Sequence, residues 1–384
     1  MDSFGGASFH TFHWPDDGLD LTGKRVAVIG TGATGVQVIS AIAADVGHLS
    51  VFQRRPNWCA PLHNAPITDE EQADIKANIA EVWERCARSP GGFIHGPIRT
   101  KHHEVTREER LAFWEELYAS PGFGVWLGNY RDVLTDEAAN AEFTAFIADK
   151  IRSRVDDPAI AEKLIPKDHG FGTKRVPLET KYYEVYNRDN VELVDLQETP
   201  IDAITETGIR TTDRHRDFDV IVYATGFDAI TGAFDRIEFV GVDGRTLKQK
   251  WSPNPVNFLG VQVHGFPNLV MVNGPTAGSA TSNFPRGIEL SVDWTTGLMR
   301  HVFEHEATRV EADPQAEQKW TDHIRDMYSM LLVHHSPSWM NGYNSNVDGH
   351  ERGDRFVIHA GGLPRYRSEL DEVAEAGYAG FTLS

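Results

Sequence analysis

Apolar and polar positions change their period several times along this chain. Val26, Ala27, Val28 and Ile29 form a continuous apolar run of strand length, ended by the turn residues Gly30 to Gly35. Such a run predicts a strand covered on both faces. Helical spacing from Val36 to Ala44 and a second apolar run from Leu49 to Phe52 follow, giving a strand, turn, helix, strand unit, half of a doubly wound α/β fold. From about residue 67 to 165 the pattern turns helical. Thr68 with Glu71 and Thr106 with Glu109 have capping-box spacing, and Ile75, Ile79, Val82 and Cys86 fall on one helical face behind the first. Phe143, Ile147 and Ile151 repeat that spacing. The stretch reads as a helical insertion packed over the α/β unit, with Cys86 a packed core thiol. After residue 170, Val191 to Val194, Ile201 to Thr205, Ile209 to Thr212 and Asp219 to Tyr223 read as strands, the middle two joined at Thr207 and Gly208.

The turn Gly30-Thr31-Gly32-Ala33-Thr34-Gly35 matches G-x-G-x-x-G between a strand and a helix. Gly30 permits the tight turn, Gly32 lets backbone approach a pyrophosphate, and Gly35 lets the helix pack on its strand. The helix amino terminus, with Gln37 in its second turn, then offers free N–H groups and partial positive charge to phosphates. At the end of the second strand an NAD site would carry an acidic residue. This chain has Gln53-Arg54-Arg55-Pro56, whose two guanidinium groups suit a 2′-phosphate and so favour NADPH; the alternative is solvated surface arginines.

A length of 384 residues predicts more than one domain. The net charge of -19 excludes a nucleic-acid partner of the ordinary basic-patch kind. Cys59 and Cys86 lack disulfide or zinc spacing and suit a reducing cytoplasm, and no leader or membrane span is legible. His102-His103 and His334-His335 read as surface pairs rather than metal ligands, since neighbours do not point at one ion.

Just before the glycine turn, Phe4, Gly6, His10, Trp14 and Pro15 fit FxGxxxHxxxWP. With both signatures the chain resembles the Baeyer-Villiger monooxygenases, FAD- and NADPH-dependent enzymes that use O2 to convert ketones to esters or lactones through a C4a-peroxyflavin. The resemblance implies a two-dinucleotide-binding flavoprotein: a Rossmann-like NADPH domain (1–66 and 170–200) with a helical insertion (67–169), and the carboxyl-terminal part of an FAD domain with substrate-pocket loops (201–384). Within Thr173-Lys174-Arg175-Val176-Pro177 it makes Arg175 the catalytic cation and gives Lys174 to the 2′-phosphate. A guanidinium that does not titrate can stabilise anionic peroxide and adduct; a structural salt bridge is the alternative. It places Ala224, Thr225 and Gly226 at the turn between the two cofactors, His10 at a hinge where it influences closure, and Phe284 and Trp339 beside the cofactors, with Ser279, Ala280 and Thr281 in the pocket loop.

Two departures stand out. The family's Ala-Asn-Ile-Pro-Gly-Lys after the tryptophan is replaced by Tyr343 to His350, leaving His350 or Arg352 as the substitute cation. Only one glycine fingerprint is present, so the expectation is the carboxyl-terminal part of a monooxygenase lacking the family's amino-terminal FAD-binding segment, its start lost by truncation or assigned at an internal methionine, with a separate FAD-binding segment as a candidate partner. Alternatives are a flavin monooxygenase acting on nitrogen or sulfur, and a non-catalytic NADPH-binding remnant.

Overall fold

The computed structural model describes residues 3–278, 282–347, 350 and 355–384. Ser279, Ala280, Thr281 and Arg352 therefore lie outside the described residues. The chain divides into two compact units, the first formed by Met1–Ala65, Lys101–Trp126 and Glu137–Phe227 and the second by Pro66–Thr100, Leu127–Asp136 and Asp228–Ser384.

The first unit is built on a parallel five-stranded sheet in the order Ala7–His10, Val220–Tyr223, Arg25–Ile29, His48–Gln53, Val191–Asp195. Val26, Ala27, Val28, Leu49 and Val51 are fully buried, as continuous apolar strands require. Strand Val220–Tyr223 lies between the two amino-terminal strands, pairing Val220 with Ala7 on one side and with Val26 on the other. This long-range pairing carries the unit past residue 200 to Phe227. At its entry a side chain on Gly6 would press within 2.7 Å of the Asp219 carbonyl oxygen, which accounts for glycine at that place in the fingerprint. Helix Ala33–Ile42 follows the glycine turn, burying Val36 and Ile39. An antiparallel group of three strands, Ile201–Ile204, Gly208–Thr211 and His215–Asp217, adds the expected hairpin and one further strand. Helix Arg107–Ala119 starts at the expected Thr106 and Glu109 capping box, and Glu137–Arg152 buries Phe143, Ile147 and Ile151. Trp114 packs against Phe143 and Phe146.

The second unit has its own core. Trp294, Leu298, Trp320, Ile324, Tyr366 and Leu370 join helices Phe284–Glu304, Pro314–Ser329 and Leu363–Glu375. The stripe expected behind Thr68 departs from its sequence reading. The capping box forms, but the segment breaks at Asn78 into helices Asp69–Ala77 and Ile79–Arg88. Asn78 leaves helical geometry with φ -107° and ψ 16°. Ile75 and Ile79 are exposed and Cys86 is buried, because the break divides a face that one continuous helix would have kept together. Among the described residues no helix is long and apolar enough to cross a membrane.

Candidate active site

In the first unit the glycine turn and the Ala224 to Gly226 turn lie side by side. A side chain on Gly30 would overlap the Ala224 carbonyl, and one on Gly35 would overlap the Gly30 carbonyl. Both glycines are thus fixed by close backbone packing, and Gly30 also has φ 107°. Gly32 differs: a Cβ there would meet nothing within 4 Å, so it faces open space at the helix amino terminus beside Ala33 and Thr34. Thr31 is buried and its hydroxyl donates to the Arg55 carbonyl at 2.9 Å, tying this turn to the end of the second strand.

The cations after that strand meet the segment from residue 166 to 175. Arg55 Nη1 and Lys174 Nζ stand 3.5 and 3.6 Å from Asp168 Oδ2, while Asp168 Oδ1 accepts from His169 Nδ1 at 2.6 Å. Trp58 Nε1 donates to the His169 carbonyl at 2.9 Å and fixes the loop. Burial and the neighbouring arginines lower the Lys174 pKa, against the opposing pull of Asp168. Burial raises the Asp168 pKa, but His169, Lys174 and Arg55 together bring it below its ordinary value. Burial and Lys174 lower that of His169, whose Nε2 is buried without a hydrogen-bond partner. A neutral ring donating through Nδ1 fits both facts. Asp168 was missed in the sequence, although an acid six residues before Lys174 was a usable signal.

Arg175 is the next residue and has different surroundings. Its guanidinium lies over the rings of Phe123 and Trp126, 5.2 and 4.9 Å from their centroids. Burial lowers its pKa, with no charged neighbour contributing. Among the described residues it forms no ion pair. Its segment is anchored by a buried pair: Arg154 Nη1 binds Glu179 Oε1 at 2.7 Å, with the Glu179 side chain fully buried. Arg154 also pairs with Glu184 and stacks over Tyr183, and Glu179 accepts the Tyr182 N–H at 2.8 Å.

His10 ends its strand. Its Nδ1 accepts the Phe12 N–H at 3.1 Å, capping a short turn, and its ring meets Phe227 edge-on at 5.3 Å. His102, expected at the surface, is instead largely buried and bonded to Glu142 at 2.5 Å. It draws on a carboxylate forty residues away, which spacing along the chain does not reveal. Among the described residues no group of histidine, cysteine and carboxylate side chains is arranged to hold a metal.

In the second unit Phe284 opens its long helix, exposed, with Asn283 as cap and the Asn283 N–H on the Gly91 carbonyl at 2.8 Å. Trp339 starts a short turn capped by Ser338 and is partly buried against the core. His350 stands 3.9 Å from Asp228, and burial lowers its pKa. Elsewhere in this unit Glu369 accepts from His359 and His323 at 2.8 Å and from Arg365 at 3.0 Å.

This fold, with its glycine turn and neighbouring cations, is that of the two-dinucleotide-binding flavoproteins. The OTEMO complex with FAD and NADP superposes with a TM-score of 0.95 at 43% identity, covering 100% of this chain and 71% of that one. The 2-oxo-Δ3-4,5,5-trimethylcyclopentenylacetyl-CoA monooxygenase of Pseudomonas putida is 43% identical over 390 residues, spanning 100% of this chain and 71% of the relative. Cyclopentanone 1,2-monooxygenase of a Comamonas species is 39% identical over 387 residues, 100% of this chain and 70% of the relative. No protein-family model matches. The chain belongs to the Baeyer-Villiger monooxygenases.

Proposed function

We propose that this chain takes part in the NADPH- and O2-dependent conversion of a ketone to an ester or lactone with FAD, in the cytoplasm. The observation that carries the reading is Arg175, a largely buried guanidinium lying over two rings and, among the described residues, without a carboxylate partner. A cation so placed favours a substrate oxygen that gains negative charge.

The residues present fit NADPH. Gly30 and Gly35 are closed by backbone while Gly32 stays open, so a pyrophosphate can approach the free N–H groups at the start of helix Ala33–Ile42. Arg54, Arg55 and Lys174 hold the 2′-phosphate, and Gln37 and the Ala224 to Gly226 turn line the same cofactor-binding end of the sheet. His10 fixes the turn entering this end. For FAD the fit is partial, since the 384 residues contain one G-x-G-x-x-G turn. We assign the ADP portion of FAD to an FAD-binding segment outside these residues. NADPH binding falls to residues 1–66 and 170–200, residues 67–169 form the helical insertion, and the part of 201–384 beyond Phe227 shares in flavin binding with Phe284 and Trp339. When bound, flavin supplies the oxygen-transfer chemistry. Arg175 binds and orients the ketone oxygen and keeps its charge at every working pH.

The test supplies the FAD-binding segment, NADPH, a cyclic ketone and 18O2, and follows the product by mass spectrometry. One labelled oxygen in a lactone is the expected result. Unchanged ketone, with an organic sulfide or amine oxidised in a parallel reaction that supplies it in place of the ketone, would refute the reading.

A further inference from the structure

The carboxylate of Asp168 sits where the cations of the 2′-phosphate site converge. One oxygen, Oδ2, lies within 3.6 Å of both Arg55 Nη1 and Lys174 Nζ. These separations exceed a close charged hydrogen bond, so the cations gather around the carboxylate without closing on it. The other oxygen is held at 2.6 Å by His169 Nδ1, from a ring whose side chain is 1% exposed. The Asp168 side chain itself is 41% exposed. Without it, Lys174, partly buried and facing Arg55 and Arg54, loses the one group that favours its charged form. With it, an incoming phosphate that binds Arg55 and Lys174 meets a like charge at the same point.

We propose that Asp168 is a specificity-setting stand-in for the 2′-phosphate: it occupies the place between Arg55 and Lys174 in the free protein and gives it up when a 2′-phosphorylated adenosine binds. This rests on the reading of the site as one for NADPH and deepens it. The carboxylate favours the charged form of Lys174 and keeps the two cations gathered for capture, and it weakens the captured state by repulsion, so that affinity for the 2′-phosphorylated cofactor is held below what the cations alone would give. His169 supplies the alternative partner that retains the carboxylate once it is displaced. Adenosine ligands without a 2′-phosphate do not reach this point and are indifferent to Asp168.

The experiment is calorimetric titration of the full chain with adenosine 2′,5′-bisphosphate and, separately, adenosine 5′-monophosphate, for the wild type, Asp168→Asn and Asp168→Glu. The expected result is tighter bisphosphate binding in D168N, roughly threefold to tenfold as for removal of a partly exposed like charge. Monophosphate affinity stays unchanged, which also shows that the variant is folded, and D168E returns bisphosphate affinity toward wild type. Weaker bisphosphate binding in D168N would overturn the proposal and make Asp168 a support for Lys174; equal changes for both ligands would overturn it too. Wild-type protein that binds the two ligands alike would be a separate failure, that of the NADPH reading itself, and the proposal would fall with it.

Discussion

Lys174 and Arg175 are neighbours on one backbone and have opposite company. Lys174 faces Asp168 and the arginines of the second strand's end, a mixed-charge cluster at least partly open to solvent. Arg175 lies over the rings of Phe123 and Trp126, and among the described residues it pairs with no carboxylate. A cation already paired can exchange one anion for another at modest net cost, because it is never left bare. A cation caged by rings gains little from them, on the order of 0.5 to 2 kcal/mol, and keeps most of its attraction for whatever negative charge arrives. The first arrangement suits reversible capture of a cofactor; the second suits a charge that appears only during reaction.

The sharpest way to break this comparison is Arg175→Ala. Ester formation is expected to fall by roughly two to three orders of magnitude, the usual effect of removing a donor aimed at developing charge. Binding of adenosine 2′,5′-bisphosphate, measured by calorimetry, should hold, and a parallel loss of both would show that the two cations act as one site. Glu179→Gln probes what the two residues share, since the Arg154 and Glu179 pair anchors the stretch after Arg175. Leaving Arg154 largely buried against a neutral amide should cost about 3 to 5 kcal/mol in urea unfolding; a loss under 1 kcal/mol would mean that Glu184 alone holds Arg154. Lys174→Gln should have the mildest effect, with bisphosphate affinity roughly tenfold lower, as for one charged hydrogen bond, and monophosphate affinity unchanged. Equal weakening of both ligands would move Lys174 away from the 2′-phosphate.

The parallel sheet was legible wherever a strand was a local apolar run: Val26 to Ile29, Leu49 to Phe52, Val191 to Val194 and Asp219 to Tyr223 all emerge within a residue or two of their observed bounds. Ala7–His10 was not, because Ser8 and His10 interrupt its apolar pattern and its strand character comes from pairing with Val220 to Tyr223. The glycine turn and the two basic stretches were legible because backbone strain and charge leave local marks on a sequence. Phe123 and Trp126 lie about fifty residues before Arg175 and look like ordinary apolar positions; only folding brings them onto its guanidinium. Asn78 misled in the other direction, since a helical stripe drawn through it continues on paper while the backbone breaks there.

Each unit also contains one buried thiol, Cys59 in the first and Cys86 in the second. Burial pushes the Cys59 thiol well above its ordinary value, and its backbone N–H is tied to the Tyr183 hydroxyl at 3.3 Å. Since thiolate is the reactive form, alkylating reagents reach either cysteine chiefly when its own unit opens. The native chain therefore carries two internal clocks. The rates at which the two cysteine peptides gain an alkyl mass report the opening of each unit separately, in one sample and without engineered labels.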